Sequence, residues 1–189
     1  VDKVKGRLQV HSDYRIPLCL THTHHQAIFR DPCIVYQNID MVEVVEGVSE
    51  IFTMVAGLKN IHIAVEIPED RMEVRADIDM IKTVIRNLIS NAIKFSNEGS
   101  EVLVSLREED SMAIVSVKDS GCGIDEENQK KLLHTDTHFS TFGTNNEEGS
   151  GLGLLLCKDF VTKNGGELWF TSKKGEGSTF SFSIPLLES

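Results

Sequence analysis

The chain has 189 residues, of which 40% are hydrophobic and 25% charged; this suits one globular domain with a real core and excludes an intrinsically disordered chain. The formal net charge of −10 argues against nucleic acid as the main partner, because a polyanion calls for clustered Lys and Arg. No apolar run approaches the roughly 18 residues of a membrane span, and the N-terminus has no signal-peptide pattern, so the expected location is cytoplasmic, with room for a membrane anchor in a longer parent.

Residues 1–36 hold His11, Pro17, His22, His24, His25 and Pro32 and show no clean period. They read as a partial or degenerate segment, or a linker, ahead of a domain covering 37–189. From Met41 to Leu58 the apolar residues Val42, Val45, Val48, Ile51, Phe52 and Val55 have helical spacing, ended by Gly57 and Asn60. Ile61, Ile63, Val65 and Ile67 alternate as in a strand, Pro68 ends it, and Met72 to Val74 is a short second strand. Asp77 is a candidate N-cap for a long helix through Phe95. Two alternating runs, Val102-Val104-Leu106 and Ala113-Val115-Val117, predict an antiparallel pair joined near Glu109-Asp110.

Glu126 to Leu133 predicts a short helix. His134 to Ser150 is polar and aperiodic; a loop of about 15 residues inside a compact domain is usually functional, often a lid. Gly151 to Asn164 predicts a helix with Gly165-Gly166 just past its end. Glu167 to Ser172 and Ser178 to Ile184 predict strands around the turn residues Lys173 to Gly177. The expected fold is a two-layer α/β sandwich, a mixed and mostly antiparallel sheet with helices packed on one face. Cys19, Cys33, Cys122 and Cys157 form no CxxC pair and read as reduced packing residues.

Three segments carry chemistry. Asn87, Asn91 and Lys94 lie at i, i+4 and i+7 on the long helix, a polar stripe beside the apolar face. The Asn91 carbonyl oxygen suits a hard cation and the Lys94 ammonium a phosphate, although a plain amphipathic helix has such an edge too. Asp119, at a strand end, is followed by Gly121 and Gly123. A carboxylate there suits an exocyclic amine such as adenine's, with glycines admitting the ligand to the backbone; an ordinary turn uses the same residues. Gly149, Gly151 and Gly153 precede the last helix, where backbone N–H groups and the helix N-terminus attract phosphate. This is neither a Walker A loop nor a dinucleotide fingerprint. Together, in this order, the three predict a nucleotide site. An acidic protein holding a polyphosphate calls for a divalent cation.

On these motifs the chain, over about residues 38–187, resembles the ATP-binding catalytic domain of sensor histidine kinases in the GHKL ATPase superfamily. Asn87 to Phe95 is similar to that family's N box, Asp119 to Gly123 to its first glycine box, and Gly149 to Gly153 (with Leu152) to its second. Phe139, in His138-Phe139-Ser140-Thr141, falls where the F box is expected. The resemblance implies that Asn91 holds Mg²⁺ with Asn87 in support, Lys94 contacts phosphate, Asp119 binds the adenine amine, Gly123 lines the base pocket and residues 130–150 close over the triphosphate of ATP. It implies a phosphohistidine product on a helical phosphoacceptor domain, in cis or in trans. A response-regulator receiver domain would be the partner that takes the phosphoryl group, and the full-length parent a homodimer. Hydrolytic relatives carry a glutamate where this chain has Asn87, and an amide is no general base. Such a site suits phosphoryl transfer to another protein.

The chain departs from the family in two places. The expected lid has only Lys130 and Lys131 near its start and no Arg, with His134 and His138 beyond them. Upstream, His11-Ser-Asp13-Tyr-Arg15-Ile-Pro17-Leu18 is one residue longer than the family's acceptor motif. One residue turns a helix by about 100°, and the 28 residues between His11 and Asp40 are too few for a two-helix hairpin, so residues 1–36 read as a partial or degenerate dimerisation and phosphoacceptor segment or a linker. A serine kinase of the anti-sigma-factor type and a non-catalytic ATP-binding module share the three boxes and remain alternatives.

Overall fold

The computed structural model describes residues 6–7, 34–133 and 153–187 of the chain. In chain order the elements are β1 (Gly6–Arg7), β2 (Gln37–Asp40), α1 (Met41–Gly57), β3 (His62–Glu66), β4 (Glu73–Ala76), α2 (Ile78–Phe95), β5 (Glu101–Glu109), β6 (Met112–Asp119), α3 (Glu126–Leu133), α4 (Gly153–Lys163), β7 (Leu168–Lys173) and β8 (Gly177–Pro185). The principal sheet has the order β1-β7-β8-β6-β5-β3, and β2 pairs with β4 in a separate two-stranded ribbon.

The sheet is mixed as expected. Among the described strands β3 and β5 run parallel, with α2 between them in sequence as the crossover; the other described pairs are antiparallel. The β5–β6 hairpin turns through Asp110 and Ser111, whose φ values of 52° and 59° are those a tight two-residue turn needs. The core is filled from the strands by Val102, Val104, Leu106, Ala113, Val115, Val117, Phe182 and Ile184, and from the helices by Val45, Ile81, Ile85, Leu88 and Ile89. On the opposite sheet face Ser116 and Ser181 share a hydrogen bond of 2.8 Å across β6 and β8. The helices pack on the apolar face, and this hydroxyl pair lies on the other.

Both long helices start at aspartates. Asp40 Oδ1 accepts the N–H of Val42 (3.0 Å) and that of Met72 (3.2 Å), tying α1 to the strand region beside it. Asp77 Oδ1 accepts the N–H groups of Asp79 and Met80, satisfying donors that a helix start leaves unpaired. The strand β2 is a finding that periodicity did not predict: four residues, Gln-Asn-Ile-Asp, are too few and too polar to signal, and pairing with β4 makes them a strand. The short strand expected at Met72 to Val74 lies at Glu73–Ala76 for the same reason.

Candidate nucleotide site

Among the described residues, close contacts at Gly153 and Gly121 set parts of all three sequence segments against α2. Asn87 and Asn91 lie one turn apart on α2, and the Asn91 Nδ2 donates to the Asn87 Oδ1 at 3.0 Å. A Cβ built on Gly153, the first residue of α4, would lie 2.5 Å from the Asn87 Nδ2 and 2.7 Å from its Oδ1. The start of α4 is thus pressed against the asparagine pair. Farther along α2, the Phe95 carbonyl accepts the N–H of Cys122 at 3.3 Å, and a Cβ on Gly121 would lie 2.0 Å from that carbonyl oxygen. The first glycine segment is therefore docked on the C-terminal end of the helix that carries the asparagines.

Asp119 ends β6 at 5% exposure. Its Oδ1 accepts the N–H of Gly121 at 2.9 Å and of Ser178 at 3.3 Å. Among the described residues Oδ2 has no hydrogen-bond partner, so one carboxylate oxygen is held by backbone and the other remains as an acceptor. Burial pushes the Asp119 carboxyl above the ordinary range, against the two N–H bonds that favour the ion.

The β7–β8 hairpin supports this loop. Gly177 (φ 97°) approaches so closely that a Cβ would lie 2.0 Å from the Asp119 carbonyl oxygen, and Gly123 (φ 61°) lies equally close to the Lys173 carbonyl oxygen. Gly175 donates to the Cys122 carbonyl at 2.7 Å. The Ser172 hydroxyl accepts the N–H of Ile124 at 2.8 Å and donates to the Gly177 carbonyl at 3.0 Å. Sequence reasoning took this hairpin as plain turn chemistry. The signal it offered was two glycines, 175 and 177, in a five-residue connection, more than a turn alone requires.

Lys94 is half-buried, with its ammonium 5.1 Å from the Phe95 ring centroid. Lys59, which the sequence did not single out, donates to the carbonyls of Ile93 (3.1 Å) and Lys94 (2.9 Å). It caps the end of α2, where four carbonyls lack helical partners and the helix dipole is negative. Phe139, Gly149, Gly151 and Leu152 lie outside the described residues, as do His11, His134, His138 and most of the expected lid.

The donor set fits a hard divalent cation. Because Asn91 spends its amide N–H on Asn87, its carbonyl oxygen is the atom left to accept a cation, and the Asn87 oxygen is occupied in orienting it. Among the described residues no group of three or more His, Cys, Asp or Glu side chains gathers.

Cysteine placement corrects one expectation. Cys157 is buried in α4, with its thiol pushed up to about 12 by burial, as a packing residue should be. Cys122 is exposed instead: its own N–H and carbonyl are held by the Phe95 carbonyl and the Gly175 N–H, while its side chain lies at the surface. Cys19 and Cys33 lie outside the described residues.

Residues 76–188 match the model of the histidine kinase-, DNA gyrase B- and HSP90-like ATPase family. The chain belongs to that family. It is similar to the adaptive-response sensory kinase SasA of Crocosphaera subtropica, 37% identical over 145 residues, which is 76% of this chain and 36% of that protein. In structure it resembles the catalytic domain of histidine kinase ThkA, with a TM-score of 0.68 and 28% identity over 80% of this chain and 95% of that one. It also resembles ThkA in complex with response regulator protein TrrA, with a TM-score of 0.67 and 26% identity, covering 82% of this chain and 42% of that one. The chain spans about a third of the curated relative's length. The sheet with helices on it is that of histidine kinase catalytic domains.

Proposed function

We propose that this chain is the ATP-binding catalytic part of a sensor histidine kinase, which transfers the γ-phosphoryl group of ATP to a histidine on a helical phosphoacceptor domain. The observation that carries the reading is that α2 holds two contact groups, Gly153 against Asn87 and Asn91, and Gly121 with Asp119 against the Phe95 carbonyl. The Asp119 Oδ2 accepts the adenine amine while Oδ1 stays fixed to backbone. The α4 N-terminus faces the phosphates, and Lys94 adds positive charge. Asn91 holds Mg²⁺, oriented by Asn87; when bound, the ion neutralises charge on the phosphate oxygens.

In the reaction the bond between the γ-phosphorus and its bridging oxygen breaks, the oxygen leaves with ADP, and an imidazole nitrogen forms the new N–P bond. The chain's own contribution is positioning and charge neutralisation. No carboxylate stands at residue 87 to activate water, which favours transfer over hydrolysis. The resemblance to a kinase bound to its response regulator supports a receiver domain as the next acceptor. We further propose that residues 37–189 form the catalytic unit, that the full-length protein is a homodimer through a helical hairpin, and that this part lies in the cytoplasm. Among the described residues no helix is long and apolar enough to cross a membrane.

The test is incubation of the full-length protein with γ-labelled ATP and Mg²⁺. Acid-labile, base-stable label is expected. Acid-stable label would mean a serine kinase, and no label a binding module.

A further inference from the structure

Helices α2 and α4 lie antiparallel, and three contacts set their register. Asp77 at the start of α2 meets Asn164 just past the end of α4. In the middle the Cys157 thiol lies 4.0 Å from the Val84 carbonyl oxygen. At the far end Gly153 abuts Asn87. The end remote from the nucleotide segments is locked by buried polar groups. Asn164, 5% exposed, accepts the Asp77 N–H at 2.8 Å through Oδ1 and donates through Nδ2 to the Phe160 carbonyl at 2.7 Å. Asp77, besides capping α2, accepts the Val35 N–H through Oδ2 at 2.9 Å. One residue on, the Tyr36 hydroxyl donates to the Lys163 carbonyl at 2.7 Å.

A buried amide with both ends satisfied fixes position as well as energy. Apolar contacts such as those of Cys157 and Val161 hold α4 near the core but say little about where it stops along its axis. The latch supplies that stop. A helix advances about 1.5 Å per residue, and a Cβ on Gly153 would already lie 2.5 Å from the Asn87 amide, so a change in the axial register of α4 changes this contact.

We propose that Asn164 is a positioning residue for the triphosphate end of the site, acting through the axial register of α4, and that Tyr36 ties the incoming chain into the same latch. The inference rests on the nucleotide reading above. It adds a separable demand. The triphosphate end, built on Asn87, Asn91 and the start of α4, depends on the latch. The adenine end, built on Asp119, the β7–β8 hairpin and the Phe95 carbonyl, does not.

The experiment measures the affinity of the whole chain for Mg²⁺-ATP and for adenosine, which lacks phosphate, in the wild type, Asn164→Ala and Tyr36→Phe, with thermal unfolding as the control for folding. Asn164→Ala should weaken Mg²⁺-ATP about tenfold and Tyr36→Phe about threefold, the scale of one hydrogen bond, with adenosine affinity unchanged in both. Equal losses for both ligands would mark a purely structural role and overturn the proposal. So would unchanged Mg²⁺-ATP affinity in both folded variants. Should Asn164→Ala fail to fold, Tyr36→Phe decides alone, since it removes one exposed-edge hydroxyl. A wild type that binds neither ligand would instead sink the nucleotide reading itself.

Discussion

Gly153 and Asn87 touch so closely that a single methyl group on the glycine would lie 2.5 Å from the asparagine amide nitrogen. The contact joins the second glycine segment to the asparagine helix, and it needs a residue without a side chain at 153. Alanine there must push the Asn87 amide aside and with it the hydrogen bond that orients Asn91. Gly153→Ala should keep the fold and weaken Mg²⁺-ATP at least tenfold, measured by calorimetry beside a thermal unfolding curve.

Gly121 is held more tightly, because its neighbour is backbone. A Cβ would meet the Phe95 carbonyl oxygen at 2.0 Å, and that oxygen sits at the end of a helix anchored by Lys59. Gly121→Ala should cost about 2–4 kcal/mol and lower Tm by about 5–15 °C, in contrast to the mild effect at 153. An unchanged Tm would show that the loop is not docked on α2.

Asp119→Asn separates recognition from folding. Asparagine keeps an oxygen for the Gly121 and Ser178 N–H groups but presents an amine donor to the adenine amine. ATP affinity should be lost. Stability should hold or rise at neutral pH, because the folded carboxyl lies above its ordinary value of 3.8 and its ionisation is disfavoured by burial. The sign follows from proton uptake: between that ordinary value and the raised one the folded state binds more protons, so wild-type stability falls as pH rises through this window. Unfolding curves of the two proteins across acid pH should converge as Asp119 becomes protonated.

Thiol chemistry offers an independent check on loop placement. Cys122 is exposed between two site glycines, whereas Cys157 is buried with its thiol pushed up to about 12. A maleimide followed by peptide mapping should label Cys122 in the native protein and Cys157 only after unfolding. Bound nucleotide should slow the Cys122 reaction.

The sequence made the framework legible where physical signals were local and strong. Asp77 before a long apolar stripe specified α2, and the alternation in Val102 to Val117 specified the β5–β6 pair, both of which the structure contains. The candidate residues on α2 and β6 stood out in sequence for a different reason: polar groups beside an apolar face need partners. What stayed hidden depends on distant chain segments. Lys59 lies 34 residues from the carbonyl of Ile93 that it caps, and nothing in its own neighbourhood marks it. Asn164 read as a helix end, yet its amide serves a backbone N–H 87 residues away. The glycines of the β7–β8 hairpin satisfied a turn rule so well that their second roles, the close approach of Gly177 to Asp119 and the Gly175 bond to the Cys122 carbonyl, left no trace in spacing. Cys122 was misassigned because a tight-turn context says that the backbone is held but not which way the side chain faces, and here it is exposed.

Titration of the wild-type chain with ATP, with and without Mg²⁺ and with GTP as competitor, tests the central claim most directly, because it asks both ends of the site at once. Saturable binding of ATP is expected, strengthened at least tenfold by Mg²⁺, abolished by Asp119→Asn and not displaced by GTP, whose base presents a carbonyl where adenine presents its amine. Equal displacement by GTP, or binding indifferent to both Mg²⁺ and residue 119, would contradict that claim.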